Sequence, residues 1–257
     1  MGVVNVTPDS FSDGGRYLRT EDAVRQGVRL AEEGADIVDV GGESTRPGSD
    51  PVSEQEEIDR VAPVVEALAR EVAARVSIDT CKPRVAEECV ARGATLVNDV
   101  TGLSDPEMIR VAKVGGAGVV IMHMRGRPKT MQQDVAYDDV VGEVRAFLAE
   151  RAERARTAGI DEVIVDPGIG FGKTAKHNFE LLARLEELAT LGYPVLVGPS
   201  RKAFLGSFAS KLPPSQRLEG TLAAVALAAW NGASIVRVHD VLQAKRVVEV
   251  VDAVRGA

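Results

Sequence analysis

Val76-Ser77-Ile78-Asp79-Thr80-Cys81-Lys82-Pro83-Arg84-Val85-Ala86-Glu87-Glu88-Cys89-Val90-Ala91-Arg92-Gly93-Ala94-Thr95-Leu96-Val97-Asn98-Asp99-Val100 holds one complete strand–helix–strand unit. Val76–Asp79 and Thr95–Val100 are short runs of mostly apolar, largely β-branched residues. They are nearly continuous rather than alternating, as parallel strands covered on both faces require. Between them Pro83–Arg92 reads as a helix, and Gly93 follows as its stop. Glycine there adopts the left-handed conformation that ends a helix without a Cβ clash.

The same unit recurs along the chain. Apolar runs stand at Val3–Val6, Asp36–Val40, Val76–Asp79, Thr95–Val100, Gly118–Met122, Glu162–Asp166, Pro194–Gly198 and Ser234–Val238. Helical patterns fill the intervals at Glu21–Glu33, Ser53–Val72, Pro83–Arg92, Asp105–Val114, Val140–Ala158, Asn178–Leu191 and Leu218–Asn231, and Val241–Arg255 closes the chain. Gly34, Gly93, Gly115, Gly159, Gly192 and Gly232 each separate a helix from the next strand. A doubly wound sheet would also alternate strand and helix, but eight near-equal units favour closure into a (β/α)₈ TIM barrel. Residues 1–257 are expected to form this single α/β domain, with mobile loops after strands 1 and 2. The first loop, Asn5–Gly15, is rich in glycine and small polar residues and is the kind of segment on which binding chemistry sits.

Composition narrows the function. Hydrophobic residues make up 45% of the chain and aromatics 4%, so Val, Ala, Leu and Ile must fill the core. A net charge of −7 argues against non-specific nucleic-acid binding. The two cysteines, Cys81 and Cys89, suit neither a disulfide framework nor a zinc site and are expected to be inert. No apolar run approaches the ~20 residues that span a bilayer, and no basic-then-apolar leader stands before the first strand. A cytoplasmic protein without membrane contact is expected.

In a barrel the site lies at the C-terminal strand ends. Those ends carry Asn5; Glu43, Thr45 and Arg46; Asp79; Asn98 and Asp99; His123; Asp166; Ser200, Arg201 and Lys202; and Arg237, His239 and Asp240. Asp79 and Asp99 could each merely cap a helix. Convergence of polar residues on one rim goes beyond capping. Gly168-Ile169-Gly170-Phe171-Gly172-Lys173-Thr174 resembles a phosphate loop but fails both glycine-rich patterns, having Pro167 and Lys173 where each needs glycine. Only three histidines occur, and no Gly-x-Ser-x-Gly elbow. A hard, oxygen-loving ion such as Mg²⁺ suits the first strand end better than zinc.

Two groups of rim residues separate by charge. Asp79, Asn98 and Asp166 are acceptors suited to a flat heterocycle bearing several N–H donors. Arg46, Lys202, Arg237 and His239 form a cationic group, in part from strands 7 and 8, where barrels often bind phosphate. The expected ligand is a heterocycle joined to an anionic leaving group.

Asn5–Gly15 and Gly41-Gly42-Glu43-Ser44-Thr45-Arg46-Pro47-Gly48 strongly resemble the dihydropteroate synthase family. So do Ser77–Thr80, Val97–Val100, Met122-His123-Met124, Asp166–Phe171, Ser200-Arg201-Lys202 and Arg237–Asp240, in family order over essentially the whole chain. The resemblance implies a Mg²⁺-dependent barrel, usually a homodimer and the target of sulfonamides. It would join 6-hydroxymethyl-7,8-dihydropterin pyrophosphate to p-aminobenzoate in folate biosynthesis. By matching position, Asp79, Asn98, Asp166 and Lys202 would hold the pterin, with Met122 and Gly198 lining its pocket. Asn5 would ligate Mg²⁺, and Arg46, Arg237 and His239 would hold the pyrophosphate. Thr45, Pro47, Phe171 and Ser200 would frame the p-aminobenzoate site. Asp166, Lys202 and Asp79 are the implied catalytic residues, with Asp13 joining them when the first loop closes. The family usually carries residues ahead of the first strand, and this sequence opens at Met1-Gly2-Val3. That departure bears on the bottom of the barrel more than on the rim. Two other readings are a pterin-dependent methyltransferase serving a corrinoid partner, which the loops at 5–15 and 43–48 disfavour, and a catalytically silent pterin-binding paralogue.

Overall fold

Eight short parallel strands, each followed by helix, make up the computed structural model. It describes residues 1–7, 16–44, 50–126, 130–132, 135–206 and 212–257, without the side chains of 16–19. Asp13, Thr45, Arg46, Pro47 and most of both expected mobile loops lie outside the described residues.

The strands are β1 (Gly2–Asn5), β2 (Ile37–Gly41), β3 (Arg75–Asp79), β4 (Leu96–Asp99), β5 (Gly118–Met122), β6 (Val163–Asp166), β7 (Leu196–Val197) and β8 (Ile235–Val236). β1 to β6 form a continuous parallel sheet, and β7 pairs with β8. One bridge joins Val165 to Val195 and another joins Gly2 to Val238, so the ring closes as a barrel. Backbone hydrogen bonds carry both seams: Val165 N donates to Pro194 O at 3.0 Å, and Val3 N to Val238 O at 3.1 Å. The regular parts of β7 and β8 are shorter than the apolar runs predict, because their outer residues pair through these single bridges. Pro194 has no N–H to donate and serves only as an acceptor.

The period of two along each strand sorts the interior. One set of residues, including Val38, Val40, Ile78, Val97, Val119, Ile121 and Val165, faces the helices. The other set points inward, where Met1, Ile37, Leu96, Val120, Ile164 and Leu196 pack with Ile235 in a separate apolar plug. Two residues beyond the plug on their strands stand Asp39, Asn98, Met122, Asp166, Gly198 and Arg237. Asp79 is held level with this layer by pairing with Gly41 and Asn98. The polar rim is thus the layer directly above the apolar plug. At the opposite end of the barrel, Arg75 Nη1 and Nη2 grip Glu162 at 2.8 and 2.7 Å, joining the starts of β3 and β6.

The helices are α1 (Arg16–Glu32), α2 (Glu54–Glu71), α3 (Pro83–Val90), α4 (Pro106–Gly115), α5 (Val140–Thr157), α6 (Ala175–Ala183), α7 (Glu186–Ala189), α8 (Leu218–Trp230) and α9 (Val241–Arg255). Three differ from expectation. α1 begins at Arg16, ahead of Glu21. The predicted helix Asn178–Leu191 starts earlier, at Ala175, where Thr174 and His177 form a capping box with histidine in the place of the usual Glu or Gln. It then breaks at Arg184, whose guanidinium spans the break to Glu180 and Glu187. In α4 the left-handed residue is Gly116 (φ 65°), and Gly115 stays helical. A Cβ on Gly115 would come within 2.3 Å of Val90 Cγ1, so this glycine serves close packing of α4 on α3. Among the described residues no helix is long and apolar enough to cross a membrane.

Candidate active site

A pocket opens at the C-terminal rim, lined by Asp79, Asn98, Val100, Met122, Asp166, Phe171, Gly198, Lys202 and Arg237. All but Val100 are predicted site residues. They come from six strands and the turns after them, which no local motif could bring together.

Arg237 organises the polar layer. Its Nε donates to Asp39 Oδ2 at 2.6 Å and its Nη2 to Asp79 Oδ2 at 2.7 Å. Asn98 Nδ2 donates to the same Asp39 oxygen at 3.0 Å. Burial pushes the Asp79 carboxyl up to about 7, although Arg237 pulls the other way. Burial works to lower the Arg237 pKa, but Asp39 and Asp79 outweigh it and hold the guanidinium above its usual range. The expected separation into an acceptor cluster and a cationic group does not hold. Arg237 and Lys202 line the same pocket as Asp79, Asn98 and Asp166.

Asp166 ends β6 with its Oδ1 accepting from Gly168 N at 2.7 Å. Burial raises its pKa, offset in part by Lys202. Lys202 enters from the turn after β7, donates to Ile169 O, and sits 4.5 Å from the centre of the Phe171 ring. Burial lowers its ammonium to about 8. The turn that delivers it is strained: Arg201 has φ 58° and is pinned by two bonds to Asp240, at 3.1 and 2.6 Å. Phe171, assigned by resemblance to the p-aminobenzoate site, here walls the pocket that holds Asp79 and Asp166.

Ser200 and His239 stand together beside β7 and β8. His239 N donates to Ser200 Oγ at 3.2 Å, and the hydroxyl lies 3.0 Å from His239 Nδ1. Asn5 ends β1 opposite Gly41 and is partly exposed. It offers one amide oxygen at the inner rim. Mg²⁺ is commonly held by one or two protein oxygens plus phosphate oxygens and water, so this donor fits. Among the described residues no three His, Cys, Asp or Glu side chains gather as a metal cage.

The glycine-rich segment 168–174 connects β6 to α6 and walls the pocket. Gly168 has φ 66°, and a Cβ on it would come 1.9 Å from His123 O, so the chain here lies against the end of β5. Lys173 turns inward and is buried, with Nζ 3.0 Å from Phe171 O, 3.1 Å from Gly168 O, 3.2 Å from His123 O and 3.0 Å from His123 Nδ1. A lysine spent on its own loop's carbonyls is not presented to a phosphate, which is the physical reason the phosphate-loop reading fails. Burial lowers Lys173 to about 7 and His123 to about 3. His123, a strand-end residue, is therefore a neutral structural acceptor.

The capping question for Asp79 and Asp99 resolves differently for each. Asp99 accepts from Thr101 N at 2.7 Å and Leu103 N at 3.1 Å, a local turn role. Asp79 caps nothing, since α3 begins at Pro83 with Lys82 as its N-cap and no side-chain cap bond. Sequence reasoning missed Asp39 and Lys173, and also Lys82. Lys82 Nζ joins Glu43 Oε2 and Glu57 Oε2, both at 2.6 Å, and Val52 O at 2.8 Å, tying the start of α2 to both ends of the segment after β2. An acidic residue at an inward position of an apolar strand was the available signal for Asp39. Cys81 and Cys89 are free, and burial pushes both thiols up to about 12.

Known proteins share the fold and much of the sequence. Residues 1–239 match the pterin binding enzyme family. The dihydropteroate synthase of Escherichia coli K12 is 47% identical over 259 residues, covering 100% of this chain and 92% of that protein. That of Synechocystis is 44% identical, covering 98% of this chain and 89% of the other. The Xanthomonas albilineans dihydropteroate synthase solved with 4-aminobenzoic acid superposes with a TM-score of 0.93 at 48% identity, covering 100% and 93% of the two chains. The Yersinia pestis dihydropteroate synthase in a sulfonamide complex gives 0.94 at 46% identity, covering 100% and 94%. With its fold and nearly its full length matched by these proteins, the chain belongs to the dihydropteroate synthase family of pterin binding enzymes.

Proposed function

We propose that this protein condenses 6-hydroxymethyl-7,8-dihydropterin pyrophosphate with p-aminobenzoate, giving dihydropteroate and pyrophosphate. The observation that carries the reading is the acceptor layer of Asp79, Asn98 and Asp166 sharing one pocket with Lys202 and Arg237. The acceptors complement the N–H donors of a pterin edge, and the buried carboxylates strengthen each such bond. Asp166 is assigned to stabilising positive charge that spreads into the ring as the carbon–oxygen bond to pyrophosphate breaks. The p-aminobenzoate nitrogen then bonds to the exposed methylene carbon and gives up a proton. An arylamine is already nucleophilic, so positioning and electrostatic stabilisation suffice and no activated Ser or Cys is needed.

Asn5 would hold Mg²⁺, which when bound neutralises the pyrophosphate and favours its departure. His239 and Arg46 are assigned to the same leaving group. Arg237 keeps its assignment with a qualification: its guanidinium is already shared between Asp39 and Asp79, so it reaches an anion only while holding them. Thr45, Pro47 and Ser200 are assigned to p-aminobenzoate, where sulfonamides would compete, and Asp13 to the closed first loop. The protein is assigned to the cytoplasm and to a homodimer. For the dimer the support is α8 and α9, where Leu227, Trp230, Val250 and Val254 are all more than half exposed.

The test is pyrophosphate release on mixing the protein with both substrates and Mg²⁺, omitting each in turn. Release that needs all three and yields dihydropteroate is expected. Pterin binding without release would replace this reading with the silent paralogue.

A further inference from the structure

Asp39 lies in the middle of β2 on its inward face and is completely buried. Its Oδ2 takes two donors, Asn98 Nδ2 at 3.0 Å and Arg237 Nε at 2.6 Å. Its Oδ1 has no partner, and neither does Ser77 Oγ, its register neighbour on β3. A buried carboxylate with one oxygen unpaired costs stability, whereas an aliphatic side chain there would extend the apolar plug. The cost is matched by what the carboxylate imposes on its neighbours. A carboxylate oxygen shared between a guanidinium and an amide can only accept hydrogen bonds. Asn98 must therefore turn its NH₂ toward Asp39, which leaves its carbonyl as the end available to the pocket.

We propose that Asp39 is a positioning residue that fixes the hydrogen-bonding polarity of Asn98 and the aim of Arg237, and so selects ligands whose facing edge carries N–H donors. With the amide reversed, the pocket would offer an NH₂ beside Lys202 and Arg237, and a donor-bearing edge would meet donors. This inference rests on the pterin reading above. Asp39 touches no ligand in this scheme and acts through Asn98 and Arg237.

The experiment compares the parent with Asp39→Leu and Asp39→Asn. The readouts are fluorescence titration with 6-hydroxymethylpterin and KM for each substrate. Asp39→Leu offers no acceptor, so Asn98 is free to reverse and Arg237 loses one of its two anchors. The pterin Kd and the KM for the pterin pyrophosphate are expected to rise at least tenfold, while the KM for p-aminobenzoate stays within threefold of the parental value. Asp39→Asn keeps one oxygen, which can stand in the place of Oδ2 and accept from both Asn98 Nδ2 and Arg237 Nε, so it is expected to bind pterin at least fivefold more tightly than Asp39→Leu. An unchanged pterin KM in Asp39→Leu, or an Asp39→Asn no better than Asp39→Leu, overturns the proposal. If Asp39→Leu does not fold, neutron diffraction of the parent decides it: Asn98 amide deuterons aimed at Asp39 support the proposal, and deuterons aimed into the pocket overturn it. A parent protein that fails to bind the pterin sinks the functional reading along with it, whereas a parent that binds while Asp39→Leu binds equally sinks only the role of Asp39.

Discussion

Arg237 and Asp79, 158 residues apart in sequence, meet at 2.7 Å across the mouth of the barrel. The same guanidinium holds Asp39, so two carboxylates share one counter-charge. Replacing Arg237 by Met would leave both without it. Removing one partner of such a buried pair costs about 3 kcal/mol. Urea denaturation at pH 8 is expected to show a loss of that order, and a smaller loss at pH 6, where Asp79 is protonated. Equal stability of parent and variant at pH 8 would contradict the pairing.

The pocket should impose a narrow pH optimum. Asp79 accepts N–H donors most strongly when ionised, and burial raises it to about 7. Lys202 must keep its proton to donate to the pterin with full charge, and burial lowers it to about 8. The kcat/KM for the pterin substrate, which reports the free enzyme, is expected to rise as pH climbs through 7 and fall beyond 8. Lys202→Arg should extend the alkaline limb. A rate constant level from pH 7 to 9.5 would remove Lys202 from its role.

Lys173 gives stability a pH dependence of its own. Its folded pKa is lowered to about 7, below the usual lysine value, so the unfolded chain binds more protons above pH 7. Stability from this group therefore rises with pH through that window. Between pH 7 and 9.5 the parent is expected to gain on the order of 2 kcal/mol relative to Lys173→Met. Parallel stability curves would show that the buried amine does not titrate there.

Two glycines with similar backbone angles should respond unequally to alanine. Gly168 has φ 66° and a carbonyl oxygen 1.9 Å from where its Cβ would stand, whereas Gly192 has φ 79° and nothing within 4 Å. Gly192→Ala should cost only the left-handed strain, about 1 kcal/mol. Gly168→Ala must displace the loop that donates to Asp166, so pterin affinity is expected to fall at least tenfold as well. Titration and melting curves of the two variants read this directly.

If α8 and α9 form a subunit interface, Trp230→Glu should yield monomers. Trp230 is 52% exposed and Leu227 54%. Sedimentation at micromolar protein would show a parental dimer and a variant monomer. A parental monomer would end the assignment.

The barrel was legible because its determinants are local: continuous β-branched runs, helical spacing, and glycine at the junctions. Asp79, Asn98 and Asp166 were legible because each is a polar residue at or near the end of an apolar run. Asp39 escaped because its partners lie 59 and 198 residues away, and only the inward period of β2 gives it away. Lys173 escaped because three of its acceptors are backbone carbonyls, which leave no mark on the sequence. The break at Arg184 escaped for a similar reason, since neither proline nor glycine marks it. Asp99 drew attention for its position and proved to serve its own turn.

β7 and β8 form a two-stranded leaf that joins β6 at the Val165–Val195 bridge and β1 at the Gly2–Val238 bridge. The second seam carries hydrogen bonds from Val3 N to Val238 O and from Val238 N to Met1 O. That leaf, with the turns after it, carries Gly198, Ser200, Lys202, Arg237 and His239, while Asp79, Asn98 and Asp166 belong to the six-stranded body. Any molecule gripped between Lys202 and Asp166, or between Arg237 and Asp79, straddles a seam. A molecule bound across a seam adds its binding free energy to the stability of the closed ring. Amide hydrogens at Val165 and Val3 would report it, exchanging more slowly when the pocket is filled. A molecule held there would be a stave of the cask as much as its contents.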